Sequence, residues 1–120
     1  MATILAVDDS PTIRQMVSMT LKAAGHQVIE ATNGQEGLRS AQGKQVDLVL
    51  SDVNMPIMDG ISMVTELRKL GNYRHTPILM LTTESSADMK QKGKTAGATG
   101  WLVKPFSPDK LLTTIKRVLG

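Results

Sequence analysis

The side chains best suited to chemistry in this chain are five polar groups, each standing just past a short apolar run. Asp8 and Asp9 follow Thr3–Val7, Asp52 follows Val46–Leu50 and Ser51, Thr82 follows Pro77–Leu81, and Lys104 follows Trp101–Val103. Taken singly, each is an ordinary helix cap or loop residue. Taken together they define a reaction class. Three carboxylates held close repel, at a cost of about 4 kcal/mol per pair at ~4 Å and an effective dielectric of 20. Such a set holds either a proton or a cation. A hard divalent ion suits it, Mg²⁺ in particular, because Mg²⁺ keeps several waters and takes one or two carboxylates together with phosphate oxygens. Zinc is disfavoured, since the chain has no cysteine and neither histidine lies near these residues. Lys104 adds a point charge for a phosphate oxygen and Thr82 a hydroxyl donor. Carboxylates, Mg²⁺, lysine and hydroxyl make a phosphoryl-transfer site, where catalysis is mainly positioning and charge neutralisation. Asp52 is the candidate nucleophile, because aspartate can form an acyl phosphate.

For these groups to meet, the apolar runs must be strands of one sheet. Short apolar runs bounded by turn signals read as strands buried on both faces of a parallel sheet. Between them the helix signals recur. Ser10-Pro11 starts a helix with an N-cap and a proline at the first position, its apolar face being Ile13, Met16, Val17, Leu21 and Ala24, with Gly25 as the stop. Gln27–Ala31 is a second strand, and Asn33-Gly34 turns into a weaker helix over Gln35–Gln42 in which only Leu38 and Ala41 are clearly apolar. After Val46–Asp52, the turn at Pro56 and Asp59-Gly60 leads into a helix with Ile61, Val64, Leu67 and Leu70 inward, stopped by Gly71-Asn72. Ser85 or Ser86 caps the next helix, whose apolar stripe is little more than Met89 and Ala96, with Gly93 inside it. That helix is expected to be exposed and relatively mobile. Ser107-Pro108-Asp109 starts the last, with Leu111, Leu112, Ile115, Val118 and Leu119 buried.

Strand and helix thus alternate five times, which implies parallel strands with helices on both faces. The expected fold is a doubly wound five-stranded α/β sheet of the flavodoxin-like kind, in the order 2-1-3-4-5. In such sheets ligands bind at the carboxyl edge, by the switch point. Strand two, expected at the sheet's edge, supplies no reactive residue, so the five polar groups converge on that switch point.

Composition removes other classes. At 120 residues the chain reads as one domain, able to bury roughly two-thirds of its unfolded surface. Without cysteine there is no disulfide framework. No basic leader precedes the first strand, and no apolar run approaches the ~20 residues of a membrane span, so a cytoplasmic location is expected. The net charge of +3, with Lys90, Lys92 and Lys94 clustered late, reads as a solvated helix face. One Trp, one Tyr and one Phe provide no stacking platform for nucleic acid.

Asp8-Asp9, Asp52 with Met55-Pro56-Ile57-Met58-Asp59-Gly60 behind it, Thr82 and Lys104-Pro105 resemble the receiver domain of two-component response regulators, over the whole chain. The resemblance implies that Asp52 accepts a phosphoryl group from a sensor histidine kinase. Asp9 and Asp52 would bind Mg²⁺ with the backbone carbonyl of Asn54, and Asp8 would act through water. Lys104 would pair with the phosphoryl group, its bond to Pro105 would be cis, Thr82 would be the switch hydroxyl and Trp101 the switch aromatic. Asn54 and Glu84 would flank the attacking water and shorten the signal, while Thr83 would restrict access to Asp52.

Asp8-Asp9-Ser10-Pro11-Thr12-Ile13-Arg14, Lys104-Pro105-Phe106 and the absence of a following output domain resemble chemotaxis regulators. These imply a monomer that reports from kinase to flagellar motor switch protein, with or without a phosphatase, and that catalyses only its own phosphorylation and dephosphorylation. A phosphorelay intermediate, or a regulator of another kinase array, is the alternative within the class. Outside it, a flavin-binding module needs a phosphate loop where Asp8 and Asp9 stand. A Mg²⁺-dependent aspartyl-phosphate phosphatase needs a second Asp where Ser10 stands.

Overall fold

The computed structural model describes residues 2–83 and 86–119. Among them the chain alternates β1 (Thr3–Val7), α1 (Pro11–Ala23), β2 (Gln27–Ala31), α2 (Gly34–Gln42), β3 (Leu48–Asp52), α3 (Gly60–Lys69), β4 (Ile78–Thr82), α4 (Ala87–Ala96), β5 (Gly100–Val103) and α5 (Pro108–Leu119). The strands form one sheet in the order β2-β1-β3-β4-β5, parallel at every pairing. This is the doubly wound α/β fold expected. No described helix is long and apolar enough to cross a membrane.

Every residue of β3 and β4 is buried, whereas edge strand β2 exposes Gln27 and Glu30 and fully buries only Ala31. Two apolar layers explain the difference. On one side of the sheet, Leu5, Val7, Val49 and Met80 pack with Ala41 of α2 and with Met63, Val64 and Leu67 of α3. On the other, Ile4, Ala6, Leu50 and Leu81 pack with Val17 and Leu21 of α1 and with Leu111 and Ile115 of α5.

The helix starts follow from their caps. Ser10, Asn33, Asp59 and Ser86 each accept a hydrogen bond from the N–H three residues on, satisfying donors that a helix leaves orphaned. Asp59-Gly60 is therefore the start of α3 rather than a turn. The sparse apolar stripe of α2 is offset by Gly34 and Gly37, both buried. A Cβ at Gly37 would lie 2.9 Å from Val7 and from Met63, so absent side chains let this helix close on the sheet. Tyr73 sits in a 3₁₀ turn after α3, fully buried, its single O–H between the carbonyls of Ala41 at 2.7 Å and Lys44 at 2.5 Å, either of which can accept it.

Several boundaries differ from expectation. The third strand begins at Leu48, because Asp47 accepts the N–H of Thr3 at 2.9 Å and so sits at the strand's entrance. Asp52 and Thr82 are the last residues of their strands. Leu119, expected inside, is 37% exposed at the tip of α5.

Candidate functional site

The carboxyl ends of β1 and β3, with the loop after β5, meet in one acidic cluster. Asp8, Asp9 and Asp52 each offer a carboxylate oxygen within 4.8 Å of the others. Asp8 and Asp52 are buried and Asp9 is exposed, so the cluster opens outward on the Asp9 side.

Backbone donors fix the two buried carboxylates. The N–H of Ser10 donates to Asp8 Oδ1 at 2.9 Å, and the N–H of Val53 donates to Asp52 Oδ1 at 2.8 Å. Arg14, one turn into α1, donates to the carbonyl of Asp8 at 2.7 Å and pairs with Glu30 of β2 at 3.3 Å, securing the loop between β1 and α1. Gly60 brings the start of α3 against the end of β3: its N–H donates to the carbonyl of Val53 at 2.8 Å, and a Cβ there would strike the carbonyl oxygen of Asp52. Only glycine permits that approach.

Lys104 is the cluster's cation. Its Nζ donates to Asp8 Oδ2 at 2.8 Å and stands 3.5 Å from Asp52 Oδ2. One ammonium against three carboxylates leaves two formal negative charges in excess. Burial pushes the Asp52 carboxyl above its ordinary pKa of 3.8; Lys104 and the Val53 N–H pull it down, and Asp8 and Asp9 push it further up. A divalent cation would cancel the excess charge and offset the penalty on ionising Asp52. Oxygen donors alone, at an opening to solvent, suit Mg²⁺.

Thr82 ends β4 fully buried, and its carbonyl accepts the N–H of Lys104 at 2.8 Å. The strand that presents the hydroxyl thus also fixes the backbone of the lysine. The Lys104–Pro105 bond is cis, as the resemblance implies. Asn54 is exposed two residues past Asp52, and Thr83 is exposed next to Thr82. Glu84 lies outside the described residues. Trp101 is not part of the acidic cluster. It pairs in register with Met80, two residues before Thr82 on the same face of β4, and is part-buried beneath α4.

The holding contacts from Ser10, Arg14, Val53 and Gly60 were not found by sequence reasoning. Three are backbone features that carry no side-chain signal, and Arg14 reads as a solvated helix residue. The Gly60 role had a visible cue in Asp59-Gly60, which also fits a plain turn.

The response regulator receiver domain model matches residues 4–116. The chain is 57% identical to the chemotaxis protein CheY4 of Vibrio cholerae, with a TM-score of 0.96 and 98% of each chain covered. It is 39% identical to protein PilH of Pseudomonas aeruginosa, covering 100% of this chain and 99% of that one. The receiver domain of sensor histidine kinase PA1611 from Pseudomonas aeruginosa, described with a magnesium ion coordinated in its active site cleft, is 30% identical, with a TM-score of 0.92 over 99% of this chain and 98% of that one. Other curated relatives are longer: the chain spans 14% of one and 49% of another.

Proposed function

The chain belongs to the response regulator receiver domain family, and from that premise we propose that Asp52 accepts a phosphoryl group from the phosphohistidine of a sensor histidine kinase. The observation that carries the assignment is the meeting of Asp52 with Asp8, Asp9 and Lys104 at one opening of the sheet. An Asp52 carboxylate oxygen forms the new bond to phosphorus as the phosphorus–nitrogen bond of the donor breaks, and the imidazole leaves. Oδ1 is engaged by the Val53 N–H, so Oδ2, on the Lys104 side, is the free nucleophile. Lys104 exchanges part of its bond to Asp8 for the arriving phosphoryl oxygens. When bound at Asp9, Asp52 and the Asn54 carbonyl, with Asp8 acting through water, Mg²⁺ would neutralise charge on those oxygens. Attack by water on phosphorus then breaks the acyl phosphate bond, releasing inorganic phosphate and returning the aspartate, a step whose rate the resemblance assigns to Asn54 and Glu84.

The modification adds about −1.5 to −2 charges. Drawing the Thr82 hydroxyl toward the phosphoryl group frees space beside Trp101, reshaping α4, β5 and α5 for a partner. A coupling of 1–3 kcal/mol gives about a 5–150-fold preference. Complete conversion from 1:99 to 99:1 takes about 5.5 kcal/mol, so a partner that binds only the active surface supplies the remainder. Similarity to CheY4 supports chemotaxis: a cytoplasmic monomer reporting to the flagellar motor switch protein, with no catalysis beyond its own phosphorylation and dephosphorylation. The end-to-end match to PilH favours a second reading, a regulator or phosphorelay carrier of another kinase array.

Incubation with a small phosphodonor and Mg²⁺ should add one phosphoryl group to the chain and none to Asp52→Asn. An unmodified wild-type chain across several donors would sink the assignment. Failure of the phosphate-analogue-loaded chain to retain motor switch protein would favour the second reading.

A further inference from the structure

Gly93 sits inside α4, where glycine lowers helix stability relative to alanine, and it is the one buried residue among those described in that helix. A Cβ built there would strike Cζ2 of Trp101 and lie 3.2 Å from Cε2 and Cη2. The missing side chain is therefore a slot occupied by the benzo edge of the indole. The helix is held from its carboxyl end at this point. Its last turn is closed by N–H bonds from Gly97 at 3.1 Å and Ala98 at 2.9 Å to the carbonyl of Gly93 itself. Gly97, at φ 111, is then held from outside, its carbonyl accepting from Arg68 Nε at 3.0 Å and Nη2 at 2.7 Å. The same guanidinium donates to the carbonyls of Tyr73 at 2.7 Å and Thr76 at 2.6 Å, fastening the end of α4 to the segment before β4. Arg68 has no carboxylate partner among the described residues, so this clamp spends its donors on backbone carbonyls.

We propose that Gly93 is a positioning residue that seats Trp101 under α4 and so sets the resting shape of the α4–β5 surface. With the carboxyl end of α4 clamped and its middle seated on the indole, displacement of Trp101 and displacement of the amino-terminal half of α4 become one event. A side chain at position 93 must expel the indole, because the helix end is held. The signalling consequence rests on the proposed phosphorylation of Asp52; the seat itself does not.

The test combines Gly93→Ala with Trp101→Ala. Alone on the Trp101→Ala chain, Gly93→Ala should raise Tm by about 4 °C, the ordinary gain of alanine over glycine in a helix. On the wild-type chain the same change should fail to raise Tm and should lower it, with Trp101 emission moving to longer wavelength and becoming more open to acrylamide before any phosphodonor is added. Should Trp101→Ala fail to fold, Trp101→Leu takes its place, and the emission of Gly93→Ala alone still decides. An equal rise in Tm in both backgrounds, or unmoved emission, would overturn the seat. A fall in both would assign Gly93 a backbone role independent of the indole, and overturn it too. Labelling of the same samples with phosphodonor separates the two ideas: wild-type chain that takes no phosphoryl group counts against Asp52, whereas normal labelling with Tm and emission of Gly93→Ala that ignore Trp101 counts against the seat.

Discussion

Replacing Asp52 with asparagine should make the protein more stable while abolishing its phosphorylation. The carboxylate oxygens of Asp8, Asp9 and Asp52 lie within 4.8 Å of one another, so at an effective dielectric of 20 each like-charge pair costs about 3.5 kcal/mol. Two such pairs act on Asp52. Lys104 at 3.5 Å offsets about 4.7 kcal/mol, and the exposure of Asp9 screens its share. A net penalty of about 1–2 kcal/mol remains, to which burial of the carboxylate adds. Asparagine keeps an oxygen for the Val53 N–H and carries no charge. The expected gain is about 2 kcal/mol at pH 7 without divalent cation, read from urea denaturation.

The pH dependence has a definite sign. Burial first, then Asp8 and Asp9, raise the folded-state pKa of Asp52 above 3.8, so between the two values the folded chain holds a proton that the unfolded chain has released. Stability from this group therefore falls as pH rises through that window. The advantage of asparagine should shrink on acidification toward pH 4. Mg²⁺ at ten times its Kd should stabilise the wild type by about 1.4 kcal/mol and Asp52→Asn by much less. Lower stability of Asp52→Asn at pH 7 in chelator, or a gap that widens as pH falls, would refute the electrostatic account.

Lys104→Met strands Asp8, whose side chain is 3% exposed; breaking a buried pair from one side should cost about 3 kcal/mol in chelator, and Mg²⁺ should restore part of it in the same denaturation assay. Ile57, 77% exposed, holds φ 70 at the centre of a γ-turn in which Met58 N–H donates to the Pro56 carbonyl at 2.7 Å. A β-branched residue is strained there, so Ile57→Gly should gain about 1 kcal/mol, visible as a higher Tm. Ser18 is buried in α1 with no hydrogen-bond partner for its hydroxyl among the described residues; Ser18→Ala should likewise gain about 1 kcal/mol, and a loss of that size would reveal a partner for the hydroxyl.

The sequence by itself determined the alternation of elements and the four strands whose carboxyl ends lead to Asp8, Asp9, Asp52, Thr82 and Lys104. Those features are local or periodic: apolar runs of strand length, Ser-Pro helix starts, and polar residues placed just where each run stops. Asp8, Asp9, Asp52 and Lys104 were legible because a parallel sheet brings all its carboxyl ends to one edge, whatever the details of packing. Tertiary structure alone decided what depends on distance between segments far apart in the chain. That Lys104 bonds Asp8 more closely than Asp52, that Asp52 is penalised for its charge, and that Leu119 stays exposed are outcomes of packing with no periodic trace. Glycine marks the boundary most clearly. In the sequence Gly93 is a weak point in a poorly apolar helix, and Gly37 a gap in another. In the fold each is the space another side chain occupies, Trp101 for one and Val7 with Met63 for the other. A missing Cβ carries no signal of its own; its meaning is set by what the rest of the chain packs against it.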